Sequence, residues 1–155
     1  MSVTVERGDP RAPDASALLR QSQALMRELF PPEDNFFLDI DALTAPHIAF
    51  FVARGLNERG GETLGTAALA DKGTYGEVKS MFVAEAARGL GVGAALLDAV
   101  EAEARARGLP ALMLETGNLL HAAHRLYARA GFTECGRFGD YPDAKTSLFM
   151  EKRLG

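Results

Sequence analysis

The chain has 155 residues, 47% of them hydrophobic and 25% charged, a balance that suits one globular domain over 1–155 with a sizeable core. Its formal net charge of −4 argues against a general nucleic-acid binder, which is usually basic or carries a basic stripe. The single Cys135 excludes an internal disulfide and a thiolate metal cluster and points to a reducing cytoplasm, while no leader pattern opens the chain and no run reaches membrane-spanning length.

Val3 and Val5 alternate with polar neighbours and predict a short first strand. Asp14, after Pro13, is the expected N-cap of a helix to about Phe30. Leu18, Leu25, Met26 and Leu29 give it an apolar face, and Pro31-Pro32 ends it. Glu33 to Pro46 reads as a loop with a short helix near Asp41, lying over a substrate cleft. His47 to Arg54 is a continuous apolar run fit for a central strand. Turn chemistry at Asn57 to Gly61, a strand over Thr63 to Ala70, a turn at Asp71-Lys72-Gly73 and a strand over Tyr75 to Val83 complete a meander. A helix follows from Gly91 to Arg107, closed by Gly108 and Pro110. Ala111 to Thr116 is a strand parallel to the one before it, because a helix intervenes. Leu119 to Ala130 is a helix closed by Gly131, and strands near Phe132 to Phe138 and Ser147 to Lys152 end the chain. This order predicts an α/β domain whose mixed sheet carries helices on both faces.

Arg88-Gly89-Leu90-Gly91-Val92-Gly93 stands between a strand and a helix. Glycines there let the backbone approach a ligand, and a helix N-terminus offers unpaired N–H donors to phosphate. A dinucleotide-binding loop needs a third glycine where Leu96 stands. A P-loop needs Gly-Lys-Ser/Thr at the helix start, which is absent. The junction fits a pyrophosphate resting on backbone amides beside a cation.

A second motif, Leu126-Tyr127-x-x-x-Gly131-Phe132, makes the pattern specific. Together with Arg88-x-x-Gly91-x-Gly93 it resembles the Gcn5-related N-acetyltransferase (GNAT) superfamily along nearly the whole chain. Gly76 to Val83 and Leu114 to Gly117 look like a bacterial branch acting on small molecules. The resemblance implies a GNAT fold: a mixed, mostly antiparallel central sheet with one splayed parallel pair. It implies acetyl-CoA as cosubstrate, no metal, and a small-molecule primary amine as acceptor. It implies neither nucleic acid nor membrane as partner, and dimers are common in the superfamily.

By that resemblance Met81, Phe82 and Val83 meet the pantetheine arm. Arg88, Gly89, Leu90, Gly91, Val92, Gly93 and Ala94 hold the pyrophosphate. Tyr127 protonates the departing thiolate, and Glu77 holds the place of a general base, with Glu115 as its competitor. Where many members carry Asn, this chain has Leu120, so Asn118 either replaces that coenzyme contact or the contact is absent. The chemistry asks for such groups: a base for the attacking amine, an N–H near Phe82 or Val83 for the oxyanion, and an acid for the sulfur.

Each residue also has a plainer role. Tyr127 could be a core tyrosine bonded to backbone, Glu77 a solvated strand-end charge, and Glu115 an ion-pair partner of Lys79 or Arg125. Phe36-Phe37 reads as core, Tyr141-Pro142 and Phe138 as walls of an acceptor pocket, and His121 and His124 as exposed rather than zinc-binding. The alternatives to small-molecule acetylation are acetylation of a peptide amine and a non-catalytic acyl-CoA sensor or interaction module.

Overall fold

The computed structural model describes residues 3–55 and 61–155; of the turn expected over Asn57 to Gly61, all but Gly61 lies outside them. Four strands, β1 (Val3–Arg7), β2 (Ile48–Gly55), β3 (Thr63–Asp71) and β4 (Gly76–Val83), form an antiparallel meander. The continuous apolar run of β2 follows from cover on both sides of the sheet. Ala49, Phe51 and Ala53 join the core under α2 (Val92–Ala106), whereas Ile48, Phe50 and Val52 join the core under α1 (Pro13–Leu29).

Strand β5 (Ala111–Gly117) lies parallel to β4, and α3 (His121–Arg129) follows it on the α2 side. The last strand, β7 (Ser147–Arg153), inserts between β5 and β6 (Thr133–Cys135). The sheet order is therefore β1-β2-β3-β4-β5-β7-β6. This is the mixed α/β sheet with one parallel pair that the sequence implies. Among the described residues no helix is long and apolar enough to cross a membrane.

Three boundaries move for physical reasons. Asp14 is not the N-cap of α1: Ala12 flanks the helix and Pro13 opens it, where a fixed φ and missing N–H suit the first turn. The Asp14 carboxylate instead accepts from Arg54 at 3.0 Å and from the Thr63 hydroxyl. That hydroxyl, more than the guanidinium, lowers its pKa to about 2. Helix α2 starts at Val92 after a left-handed Gly91 at φ 82°. Strand β6 stops at Cys135, so residues 136–146 become a long connection that turns back over the sheet. The Asp41 region holds a short 3-10 turn at Ala42–Thr44, with another at Pro32–Asp34.

Candidate active site

Strands β4 and β5 are paired only at Gly76↔Leu112 and Glu77↔Met113; beyond Glu77 they part. A bulge on β4 sharpens the divergence. Lys79 stands opposite Ala68 and Phe82 opposite Thr66, so Ser80 and Met81 together face Ala67. Ser80 has φ 54°, which among the described residues is the left-handed conformation of a non-glycine and stores strain. The fully buried Thr66 holds it there: its hydroxyl donates to the Ser80 carbonyl at 2.8 Å. Thr66→Val keeps the volume and removes that donor. The expected loss is about 1–2 kcal/mol of unfolding free energy in denaturant titration, together with weaker coenzyme binding as the bulge relaxes. Unchanged stability would dismiss the strut role.

Because β5 has turned away, Met81, Phe82 and Val83 have no strand partner on that side, and their backbone groups need one. The gap is a cleft of about 130 Å³ through the sheet, bounded by Ser80, Met81, Glu115 and Thr116 on the two strands. Tyr127 and Leu120 close it on the α3 side, and Phe30 and Met26 on the α1 side. Beside it on the α1 side lies a wider cavity of about 500 Å³ among Phe36, Phe37, Ile48, Tyr75, Glu77 and Tyr141. Phe36, Phe37 and Lys79 line both chambers. The phenylalanine pair, expected in the core, forms the doorway between them.

Tyr127 is buried with its ring edge toward Phe132, centroids 5.8 Å apart. Among the described residues its hydroxyl has no hydrogen-bond partner, so the backbone-bonded core tyrosine is not what stands here. Burial pushes the phenol's pKa far up, and the charge of Glu115 pushes it further. Glu115 accepts from the Ser147 hydroxyl at 2.7 Å. Burial raises its carboxyl above the ordinary range, with the Ser147 bond and Lys79 pulling the other way.

Glu77 is no solvated strand-end charge, being 4% exposed. Its Oε2 accepts from the Tyr141 hydroxyl and lies 3.6 Å from Lys79 Nζ. Lys79 donates to the Phe36 carbonyl at 3.0 Å and to the Tyr141 oxygen at 2.8 Å. Tyr141 is wedged edge-on between Phe36, Phe138 and Phe149, at 5.4, 5.3 and 5.7 Å. Burial, then the neighbouring Glu77 charge, drives its phenol pKa up. The anchoring role of Tyr141 and the Lys79–Glu77 pair were not foreseen. Their signal was two opposite charges two residues apart on a strand, hence on one face.

At the other end of the V, a 3-10 turn at Glu85–Ala87 leads to the junction. Gly89 and Gly91 are left-handed at φ 81° and 82°, with open space where a Cβ would stand. Arg88 and Leu90 are exposed, and Arg88 Nε reaches the Val83 carbonyl at 3.4 Å. No side chain caps α2. Val92 is buried in the core, and a Cβ on Gly93 would come within 2.7 Å of Leu126, so this glycine sets the α2–α3 approach. Ala94 is exposed. Asn118 lies outside both chambers, its amide donating to the Lys145 carbonyl at 3.3 Å. His124 bonds the Gly117 carbonyl at 2.9 Å, and no group of three or more metal-binding side chains occurs among the described residues.

Known proteins share this architecture. Residues 16–132 match the model of the acetyltransferase (GNAT) family. A protein of Azospirillum brasilense named IAA acetyltransferase is 43% identical over 155 residues, covering 99% of each chain. The uncharacterized N-acetyltransferase YsnE of Bacillus subtilis (strain 168) is 34% identical over 141 residues, 89% of this chain and 91% of that one. Among solved structures, a proposed acyl-CoA N-acyltransferase from Klebsiella pneumoniae subsp. pneumoniae MGH 78578 superposes with a TM-score of 0.81 at 30% identity, covering 99% of this chain and 98% of that one.

Proposed function

The chain belongs to the GNAT acetyltransferase family, and on that premise we propose that it moves an acetyl group from acetyl-CoA to the primary amine of a small molecule. The observation that carries this reading is the meeting of two chambers at one doorway. A narrow cleft in the V of the sheet opens past Phe36, Phe37 and Lys79 into a separate, wider cavity. Direct transfer in a ternary complex needs that arrangement: thioester in one chamber, acceptor in the other, reacting atoms at the join.

The coenzyme enters along the unpaired edge of Met81, Phe82 and Val83. Its pyrophosphate rests on the amides from Gly89 to Ala94, with Arg88 at its side. The acceptor nitrogen attacks the thioester carbonyl carbon, forming the C–N bond as charge gathers on the oxygen, which the Phe82 or Val83 N–H meets. Glu115 takes the amine proton, directly or through water. A carboxyl lifted toward neutral pH suits a base better than Glu77, which is held by two donors. As the C–S bond breaks and coenzyme A leaves as the thiolate, the Tyr127 hydroxyl stabilises the departing sulfur with a strengthening hydrogen bond. A cavity of about 500 Å³ suits a small amine as acceptor. Cys135, half-buried with a thiol pushed up by burial, lies outside both chambers and takes no part.

Purified protein with acetyl-CoA and a broad panel of amines should release free coenzyme A thiol. Its kcat should fall on the acid side with a midpoint above the ordinary carboxylate range, and Glu115→Gln should abolish that limb. Thermal stabilisation by acetyl-CoA with no thiol released for any amine would leave the acyl-CoA sensor standing in its place.

A further inference from the structure

The acceptor cavity has a direction. Its inner end, at the doorway, gathers carboxylates: Glu77 on β4, Glu115 on β5 and Asp34 beside the cleft, against the single ammonium of Lys79. Its outer end is less acidic. His47 and Lys72 line it there, both exposed, and neither makes an ion pair among the described residues. The nearest carboxylate in sequence, Asp71, is taken by Arg107 at 3.2 Å and by the Gly73 N–H. Asp140, on the 139–142 segment, lies near enough to Tyr75 for its charge to raise that phenol's pKa, so the outer end sets Lys72 against one carboxylate where the inner end sets Lys79 against three. Between the two ends the lining is ring and hydrocarbon: Phe36, Tyr75, Tyr141 and Ile48.

The strand register fixes the scale. Ala70 pairs with both Ile48 and Glu77. The Asp71 N–H bonds the His47 carbonyl and the Lys72 N–H bonds the Tyr75 carbonyl, each at 2.9 Å, so Lys72 and Tyr75 sit at one level, with His47 one residue nearer Glu77. At about 3.3 Å per residue that level is roughly 7 Å from Glu77 and roughly 13 Å from Lys79.

From this polarity we infer that the acceptor is an amphoteric monoamine: a primary amine and a carboxylate at opposite ends of a flat, apolar body. The inference rests on the acetyl-transfer reading and names its substrate class. The amine end enters toward the carboxylates at the doorway, where Glu115 can deprotonate it. The body lies between the rings of Tyr75 and Tyr141, and the carboxylate meets Lys72 and His47. An α-amino acid fits poorly, because its two charges share one carbon and its carboxylate would fall beside Glu77. A diamine fits poorly as well, because its second cation would meet the ammonium of Lys72.

Four probes separate these cases by the kcat/KM for coenzyme A release. They are 4-(aminomethyl)benzoate, benzylamine, phenylalanine and 1,4-bis(aminomethyl)benzene. The first should exceed benzylamine by about tenfold, the effect of one well-placed charge contact, and the last two should fall below benzylamine. In Lys72→Glu, an exposed site that the fold tolerates, the ratio of carboxylated probe to diamine should invert. Benzylamine equal to its carboxylated counterpart, a ratio indifferent to Lys72→Glu, or turnover confined to amines outside this class overturns the inference. Absence of turnover with every amine overturns the acetyl-transfer reading itself, which keeps the two failures apart.

Discussion

Tyr127→Phe should lower kcat on the order of 10²-fold while leaving the affinity for acetyl-CoA nearly intact. A thioester sulfur is a weak acceptor, whereas the departing thiolate is a strong one. A hydroxyl aimed at that sulfur therefore stabilises the transition state far more than the bound ground state. Burial holds the phenol's pKa well above the ordinary thiol range near 8.5, so complete proton transfer is uphill and a strengthening hydrogen bond does the stabilising. The structural alternative predicts the opposite pattern. In the core the Tyr127 hydroxyl has no partner among the described residues, and removing it should leave the melting temperature unchanged or raise it. Rapid-quench or steady-state kinetics with a thermal melt on the same sample decides the matter. A variant with unaltered kcat, or one whose coenzyme affinity falls as far as its kcat, removes Tyr127 from the departure step.

Much of the fold was legible because the signals were local. Alternation marked β1, and an uninterrupted apolar run marked β2 as a strand covered on both faces. Gly108 before Pro110 stopped α2 close to where it ends. The departures came where tertiary contacts outweighed local preference. Asp14 has the right chemistry for a cap, yet Arg54 and Thr63, 40 and 49 residues away, draw its carboxylate across to the sheet. Phe132 to Phe138 has the composition of a strand, but β7 offers it a partner only as far as Cys135.

On the proposed reading, the coenzyme side of the site is carried by motifs, whereas on the acceptor side only Tyr141 and Pro142 were expected as walls and now line the wider cavity. Glycines at the junction and Tyr127 before Gly131 belong to short patterns whose chemistry is carried by neighbours in sequence. The wider cavity draws on residues 36–38, the β3–β4 turn and residues 139–142, none of which has a motif. Its central cluster joins Glu77 to Tyr141 across 64 residues. The residue at which β4 turns left-handed was not legible, because nothing in Lys79-Ser80-Met81 favours a positive φ. Only the hydroxyl of Thr66 from the neighbouring strand makes that conformation affordable.

Gly91→Ala should raise the Kd for acetyl-CoA by a factor of about 10–100, and Gly108→Ala should not change it. The two glycines make a matched pair. Both are left-handed, at φ 82° and 72°, and both have open space within 4 Å of where a Cβ would stand. They flank the same helix, Gly91 before α2 and Gly108 just after it. The conformational cost of alanine, about 1–2 kcal/mol, therefore falls on both alike and appears as similar losses in denaturant midpoint. What differs is the occupant of the open space. At Gly108 it is solvent; at Gly91, on the proposed reading, it is a pyrophosphate drawn against first-turn N–H groups that no side chain caps. A methyl there holds the phosphates away from those donors, and losing one charge-assisted bond of about 1.5–3 kcal/mol accounts for the expected factor. Titration calorimetry on the two variants separates backbone strain from ligand exclusion. Equal coenzyme affinity in both would move the pyrophosphate away from this junction.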